Sequence, residues 1–212
     1  MTDTYRTQGL RKQLVEELKK KGIQDTNVLS AIALVPRHFF LSSSLLEHAY
    51  NDVPLPIACK QTISQPYTVA RQTELLEVKK NLRILEIGTG SGYQAAILHK
   101  MEARVYTIER HRELYESAKQ LFQNMSYAIG IKYGDGYKGW EEFAPYDRIL
   151  ITCGAAELPQ NLLKQLRPNG ILVAPIGESE QIMTKVLKLS EDEFETTTHG
   201  NYRFVPMLRN AQ

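Results

Sequence analysis

Arg83-Ile84-Leu85-Glu86-Ile87-Gly88-Thr89-Gly90-Ser91-Gly92-Tyr93 carries an apolar run into three glycines at alternate positions. Gln94-Ala95-Ala96-Ile97-Leu98 follows directly and has helical character. Strand, tight turn and helix in that order make the first unit of a Rossmann-type sheet. The glycines let the backbone turn sharply and approach a ligand closely. A dinucleotide fingerprint needs a further glycine where Tyr93 stands. The pattern here, Glu86-x-Gly88-x-Gly90-x-Gly92, instead matches the loop that commonly binds S-adenosyl-L-methionine. A glycine turn without a ligand is the alternative, because such a motif alone is weak evidence.

The downstream chain continues the α/β alternation. Arg104-Val105-Tyr106-Thr107-Ile108 reads as the second strand and Glu109 closes it. An acidic residue about 20 positions past the loop, at the end of strand two, is placed to bind ribose hydroxyls. A solvated glutamate is the bland alternative. Leu114, Ala118, Leu121 and Phe122 predict a helix. Ala128 to Tyr133 predicts strand three, with Gly134-Asp135-Gly136 turning after it. Asp135 is placed either to accept a hydrogen bond from an adenine amino group or to serve only the turn.

Tyr146 to Thr152 predicts strand four, and Cys153-Gly154-Ala155-Ala156 begins the loop past its carboxyl end. Open α/β sheets bind ligands at that edge. Cys153 reads as a small buried hydrophobe before it reads as a site residue. Leu162, Leu163 and Leu166 predict another helix, and Ile171 to Ile176 strand five. Met183 to Leu189 and Tyr202 to Val205, joined by a polar segment, predict an antiparallel ending.

Upstream of the loop the pattern is helical. Leu10, Leu14, Val15 and Leu18 share one helix face, and Gly22 stops the helix. Asp25 caps a second helix carrying Val28, Leu29, Ile32 and Val35, which Pro36 ends. Ser44 and Glu47 have capping-box spacing for a short third helix. His38 and His48 read as packing or surface residues, because nothing beside them makes a metal or triad pattern. Asn51 to Pro56 is turn-rich and reads as irregular. Pro66 opens a helix at its first position. Ser64 and Gln65 therefore stand at a helix N-terminus, where free N–H groups favour an anion. A plain helix cap is the alternative for Ser64.

Bulk properties narrow the classes. The 212 residues are 42% hydrophobic and 24% charged, with a formal net charge of +2. Nothing in that charge calls for nucleic acid or a membrane. No apolar stretch approaches the roughly 18 residues of a bilayer span. The N-terminus lacks the apolar core of a signal peptide, so a cytoplasmic protein is expected. The two cysteines, Cys59 and Cys153, make no disulfide framework, and the Cys and His spacing offers no zinc site.

Several segments in order resemble one family, the protein-L-isoaspartate O-methyltransferases. They are Val35-Pro36-Arg37 with Phe39-Phe40, Gln61-Thr62-Ile63-Ser64-Gln65-Pro66-Tyr67, the glycine loop, Gly134-Asp135-Gly136 with Gly139-Trp140, Glu157-Leu158-Pro159, Gly170-Ile171-Leu172-Val173, and Arg203-Phe204-Val205-Pro206. The resemblance covers nearly the whole chain, and the Thr-Ile-Ser-Gln-Pro segment is its specific part. Ala58-Cys59-Lys60 replaces a glycine-containing stretch, and Cys153-Gly154-Ala155-Ala156 departs from the more usual loop. Both departures bear on substrate range.

The resemblance implies a Rossmann-like methyltransferase fold, α/β, with a mostly parallel doubly wound sheet, an antiparallel C-terminal strand and added N-terminal helices. Residues 1–78 would form a helical and substrate-site region packed on a core of residues 79–212, in one compact unit. It implies transfer of a methyl from S-adenosyl-L-methionine, leaving S-adenosyl-L-homocysteine, to the α-carboxylate of L-isoaspartyl residues in damaged proteins and peptides. It places Ser64 at the substrate carboxylate as the catalytic residue. Thr62, Ile63, Glu86, Gly88, Thr89, Gly90, Gly92, Glu109, Asp135 and Gly136 would hold the cofactor. Gln65, Phe204 and Val205 would meet the substrate, the last two as a wall for an added strand. The N-terminal helices would cover the cofactor, and the enzyme would be a monomer without metal, nucleic acid or membrane.

Three other readings compete. A methyltransferase for an RNA base lacks its basic cluster and its Asn/Asp-Pro-Pro-aromatic sequence after strand four. Tyr93 argues against an NAD-dependent oxidoreductase. The intact Ser64 argues against a module that binds without turnover.

Overall fold

The computed structural model describes residues 2–212. Helix α1 (Tyr5–Lys20) begins where the Thr4 side chain accepts from the Thr7 N–H, and it buries Leu14, Val15 and Leu18. Helix α2 (Thr26–Leu34) begins at Asp25, whose carboxylate accepts from the N–H groups of Asn27 and Val28. Ser43–His48 is a 3₁₀ turn rather than an α-helix, and the capping pair expected there does not form. Ser44 Oγ instead meets Ser42 Oγ at 3.0 Å.

Strand β1 (Leu55–Pro56) pairs antiparallel with β2 (Thr62–Ile63), which gives order to part of a stretch expected to be irregular. Helix α3 (Pro66–Leu75) starts with Pro66 in its first turn, as its sequence predicts.

The main sheet has seven strands. These are β3 (Arg83–Ile87), β4 (Arg104–Glu109), β5 (Gly130–Tyr133), β6 (Tyr146–Ile151), β7 (Leu166–Ile176), β8 (Gln181–Lys188) and β9 (Phe194–Tyr202). Helices α4 (Tyr93–Lys100), α5 (Arg112–Asn124) and α6 (Gln160–Lys164) lie between them in the chain. The spatial order is β5-β4-β3-β6-β7-β8-β9. Neighbours from β5 to β7 are parallel, and β8 runs against both β7 and β9. The sheet is therefore parallel except for one strand near its C-terminal edge.

Alternate side chains on β3 enter opposite cores. Ile84 joins Val105, Leu150 and Val173 in the core beneath α1 to α5. Leu85 and Ile87 join Ile108, Ile149 and Leu172 in the core beneath α6. Both faces of the sheet are covered, which is why β3 and β6 carry adjacent apolar residues, Ile84-Leu85 and Ile149-Leu150-Ile151, rather than a strict alternation.

Several boundaries differ from the pattern-based ones. The third main strand begins at Gly130, and Leu166 belongs to β7 rather than to the preceding helix. The last strand is Phe194–Tyr202, inside the segment taken for a polar connection, and not Tyr202 to Val205. As an edge strand, β9 leaves most of its residues exposed on both sides and so shows no alternation. Beyond it the chain leaves the sheet edge and crosses the strand ends, where Gly154 N–H donates to Val205 O (2.8 Å) and Met207 N–H to Gly154 O (2.7 Å).

Gly92 sits at φ +87 just before α4, and a Cβ there would stand 2.7 Å from a Phe122 ring carbon. Gly92→Ala should cost on the order of 1–3 kcal/mol of unfolding free energy. Urea denaturation measures this, and a loss under about 0.5 kcal/mol would mean that the loop absorbs the strain.

Candidate active site

Strand β3 ends at the centre of the sheet, between β4 and β6, where an open α/β sheet forms its ligand crevice. The glycine loop that leaves it is pinned by both neighbours. Gly88 N–H donates to Ile108 O on β4 (2.9 Å). The Thr152 hydroxyl, just past β6, donates to Gly88 O (2.7 Å). Gly90 N–H donates to Glu109 Oε2 (2.8 Å). Gly88 stands at φ +98, and a Cβ would come within 2.8 Å of Thr152 Oγ1, so the pin requires glycine.

Two clefts meet beside this loop. The first, about 690 Å³, is lined by Gly88, Gly90, Glu109 and Gly136 and roofed by Val205, Pro206, Met207 and Leu208. The second, about 1220 Å³, is lined by Ser64, Gln65, Tyr67, Tyr202 and Phe204. Thr62, Thr152 and Val205 belong to both. The first cleft combines apolar walls with a few polar groups, the make-up of a small-molecule site. Glu109 accepts from Gly90 N–H and from His111 N–H (2.9 Å), one at each oxygen, which leaves each oxygen a further acceptor direction. Apolar Ile87, Ile108 and Met207 lie alongside that carboxylate. These residues fit a nucleoside with ribose hydroxyls to donate and a flat apolar ring to bury.

The other expected site residues fall at different depths. Ile63 and Thr89 turn inward: Ile63 is in the core, and Thr89 Oγ1 meets Thr107 Oγ1 at 2.7 Å. Gly92 packs against Phe122 outside the lining. Asp135 Oδ1 accepts from Tyr137 N–H (2.9 Å) and Oδ2 from Asn210 N–H (3.0 Å). Its carboxylate thus holds the turn carrying Gly136 and fastens the C-terminal segment. Cys153 lines the first cleft, where the packing reading was preferred. Burial, with the charges of Glu109 and Glu86, pushes its thiol up to about 12, so it is a neutral wall.

Three expectations need correction. The anion position at the start of α3 is filled by the chain itself, because Asp52 Oδ1 accepts from Tyr67 N–H (2.7 Å). Helices α1 and α2 line neither cleft; they pack on α3 and α4, and the C-terminal segment is the roof. Phe204 and Val205 do wall the second cleft, but Phe204 N–H donates to Gln181 Oε1 (2.9 Å) and Val205 O accepts from Gly154. A strand added there meets main-chain groups already partly paired.

Sequence reasoning missed Thr152, Asp52 and the Pro206 to Leu208 roof. Only Thr152 carried a signal, standing at the carboxyl end of a central strand. Cys59 lies outside both linings and, with Lys60, adopts φ +56. The glycine that the resemblance leads one to expect in this stretch would adopt that conformation freely.

Glu86 lies beneath the loop, with no exposed surface. Its Oε2 accepts from the Thr107 hydroxyl (2.5 Å), and Oε1 has no partner. Burial pushes its carboxyl up to about 8, with the Thr107 hydroxyl opposing and the Glu109 charge assisting. At neutral pH it is a protonated acid, linked through Thr107 to Thr89 in the loop.

Comparison with known proteins points one way. A family model described as "Protein-L-isoaspartate(D-aspartate) O-methyltransferase (PCMT)" matches residues 9–212. The chain is 53% identical over 211 residues to a protein-L-isoaspartate O-methyltransferase of Christiangramia forsetii, spanning 99% of both chains. It is 52% identical over 211 residues to the protein of the same name from Flavobacterium johnsoniae, again across 99% of each. Among solved structures it matches a protein-L-isoaspartate O-methyltransferase with a TM-score of 0.87 and 31% identity, covering 94% of this chain and 66% of that one. A Plasmodium falciparum protein in complex with S-adenosyl-L-homocysteine matches with a TM-score of 0.83 and 26% identity, over 94% of this chain and 99% of that one.

The protonated Glu86 makes a pH prediction for the ligand-free protein. From its ordinary value of 4.5 up to about 8, the folded state holds a proton that the unfolded state releases. Stability therefore falls as pH rises through that window. Glu86→Gln removes this dependence, so urea unfolding should show the variant gaining on the parent between about pH 5 and pH 8. Parallel curves for the two proteins would show that Glu86 is ionised in the fold.

Proposed function

We propose that this chain, which belongs to the protein-L-isoaspartate(D-aspartate) O-methyltransferase family, methylates the free α-carboxylate of L-isoaspartyl residues in damaged proteins and peptides. The observation that carries this reading is the junction of the two clefts at Thr62, Thr152 and Val205. Glu109 and the glycines stand on one side of it and Ser64 on the other. A donor in the first cleft and an acceptor in the second meet only there.

When bound, S-adenosyl-L-methionine supplies a methyl already activated on a sulfonium. Gly88 and Gly90 bring backbone close to its amino-acid part, with Gly92 setting the turn into α4. Glu109 accepts from the ribose hydroxyls. Gly136, on the turn fixed by Asp135, borders the adenine. Thr62 lines the passage between the clefts, while Ile63, Thr89 and Glu86 set the backbone from below.

The acceptor needs no base, because a carboxylate is already ionised near neutral pH. What the protein supplies is orientation, an effect worth up to about 7–11 kcal/mol in well-aligned systems. Ser64 donates its hydroxyl to the substrate carboxylate. Gln65 borders the same cleft, and Phe204 and Val205 wall it. Enclosure keeps water from both charges. The methyl ester then closes to a succinimide, and its hydrolysis returns part of the product as normal aspartate.

No helix among the described residues is long and apolar enough to cross a membrane. A net charge of only +2 gives no general attraction for nucleic acid, and we propose a cytoplasmic monomer that acts without it. Residues 1–78 bring the Ser64 segment to the core formed by residues 79–212.

The test is methyl transfer from labelled S-adenosyl-L-methionine to two peptides that differ only in isoaspartate or aspartate at one position. Base-labile label on the isoaspartyl peptide alone is expected. Ser64→Ala should lower turnover by about 10-fold or more and leave S-adenosyl-L-homocysteine affinity within about 2-fold. Cofactor binding without label on either peptide would refute the assigned substrate.

A further inference from the structure

Ser64 is held from both sides by one turn, Ala49 to Val53. Arg37 is completely buried, and its guanidinium bridges that turn to the Ser64 segment. Nη1 donates to Ala49 O (2.6 Å), and Nη2 donates to Val53 O (3.3 Å) and to Ser64 O (3.1 Å). Its other contact is the Tyr93 ring, with the centroid 5.8 Å away, at the start of α4. Among the described residues no carboxylate forms a salt bridge with it. Asp52, in the same turn, reaches the other side of Ser64. Its side chain is only 2% exposed. Oδ1 accepts from Tyr67 N–H (2.7 Å), and Oδ2 accepts from Gln65 Nε2 (3.1 Å) and from Lys21 Nζ (2.5 Å). Gln65 Nε2 also donates to Asp52 O (3.0 Å).

The arrangement is costly by itself. A buried guanidinium that touches no carboxylate loses its hydration, its Nε finds no partner among the described residues, and burial holds Arg37 below its ordinary value although the Asp52 charge opposes this. Its planar fork nevertheless serves several carbonyls at once, which an ammonium does not do in a fixed plane. The Ser64 carbonyl, the Gln65 side chain and the Tyr67 N–H are all bound to a single turn. The Ser64 hydroxyl is bonded to nothing among the described residues and remains for a ligand.

We propose that Arg37 and Asp52 are positioning residues for methyl transfer: together they fix the Ser64 hydroxyl at the junction of the clefts. The inference rests on Ser64 orienting the substrate carboxylate. A fixed segment spares the ordering cost when substrate binds, and it keeps the donor direction constant through the transfer.

The test is a cycle of Asp52→Asn, Ser64→Ala and the double variant, chosen because replacing Arg37 endangers the fold itself. Asparagine keeps an acceptor for Tyr67 N–H but turns a donor toward Gln65 and Lys21. Asp52→Asn should lower kcat on the isoaspartyl peptide about 10-fold, with peptide KM and S-adenosyl-L-homocysteine affinity each within about 2-fold. In the Ser64→Ala background the same change should cost under about 2-fold, because the positioned group is gone. Equal losses in both backgrounds, unchanged kcat, or loss of S-adenosyl-L-homocysteine binding together with activity would each overturn the positioning role and leave the Ser64 reading standing. Wild-type turnover in Ser64→Ala would overturn that reading, and the inference with it.

Discussion

Hydrogen bonds between the glycine loop and its neighbours on both sides hold the site in register. They come from the two strands that flank β3, through Ile108 and Glu109 on one side and Thr152 on the other. The loop's height relative to the sheet is therefore set by the sheet, and a fluctuation in one strand cannot move the loop alone. Every other part of the site is measured from it. The roof from Val205 to Leu208 is fastened by backbone bonds to Gly154, two residues past the Thr152 that pins the loop, and Thr152 also lines the second cleft. A reaction that depends on alignment more than on proton transfer needs this kind of fixed reference.

The electrostatics follow the same logic. Glu86 is buried as a neutral acid below the loop, while Glu109, a strand away, spends its two oxygens on Gly90 and His111 N–H groups. One carboxyl is a structural link and the other faces the cleft. Beside the second cleft's Ser64 segment, Arg37 is a buried cation whose Nη groups meet carbonyls while its Nε has no partner among the described residues, and Asp52 is a nearly buried carboxylate that accepts from an amide, a backbone N–H and Lys21. Buried charges cost free energy unless their hydrogen-bonding groups are met. Here most of them are met, and the partners include main-chain groups of the Ser64 segment itself, the Ser64 carbonyl and the Tyr67 N–H.

Much of this was legible in the sequence. The glycine spacing, the acid closing strand two and the serine before Pro66 are local patterns, and Gly88, Gly90, Glu109 and Ser64 line the clefts while Gly92 does not. The helix starts at Asp25 and Pro66 were equally plain, because caps act over two or three residues. Reading failed where no local pattern exists. β9 is an edge strand with both faces largely in water, so it carries no alternation. Ile63 and Thr89 stand beside site residues in the chain, yet turn into the protein, since neighbouring side chains point to opposite sides.

The sequence by itself determined most of the order of strands and helices, the glycine loop that leaves β3 and the start of α3 two residues after Ser64. Those features depend on residue spacing within one element or one turn. Tertiary structure alone decided that Asp52 caps α3 in place of a ligand, that Arg37 holds Ser64 from 27 positions away, that the C-terminal segment roofs the cleft, and that two clefts share Thr62, Thr152 and Val205. Such contacts join segments distant in the chain, and their partners are main-chain groups that every residue possesses. No side-chain pattern announces them, and only the packing of the sheet brings them within hydrogen-bond distance.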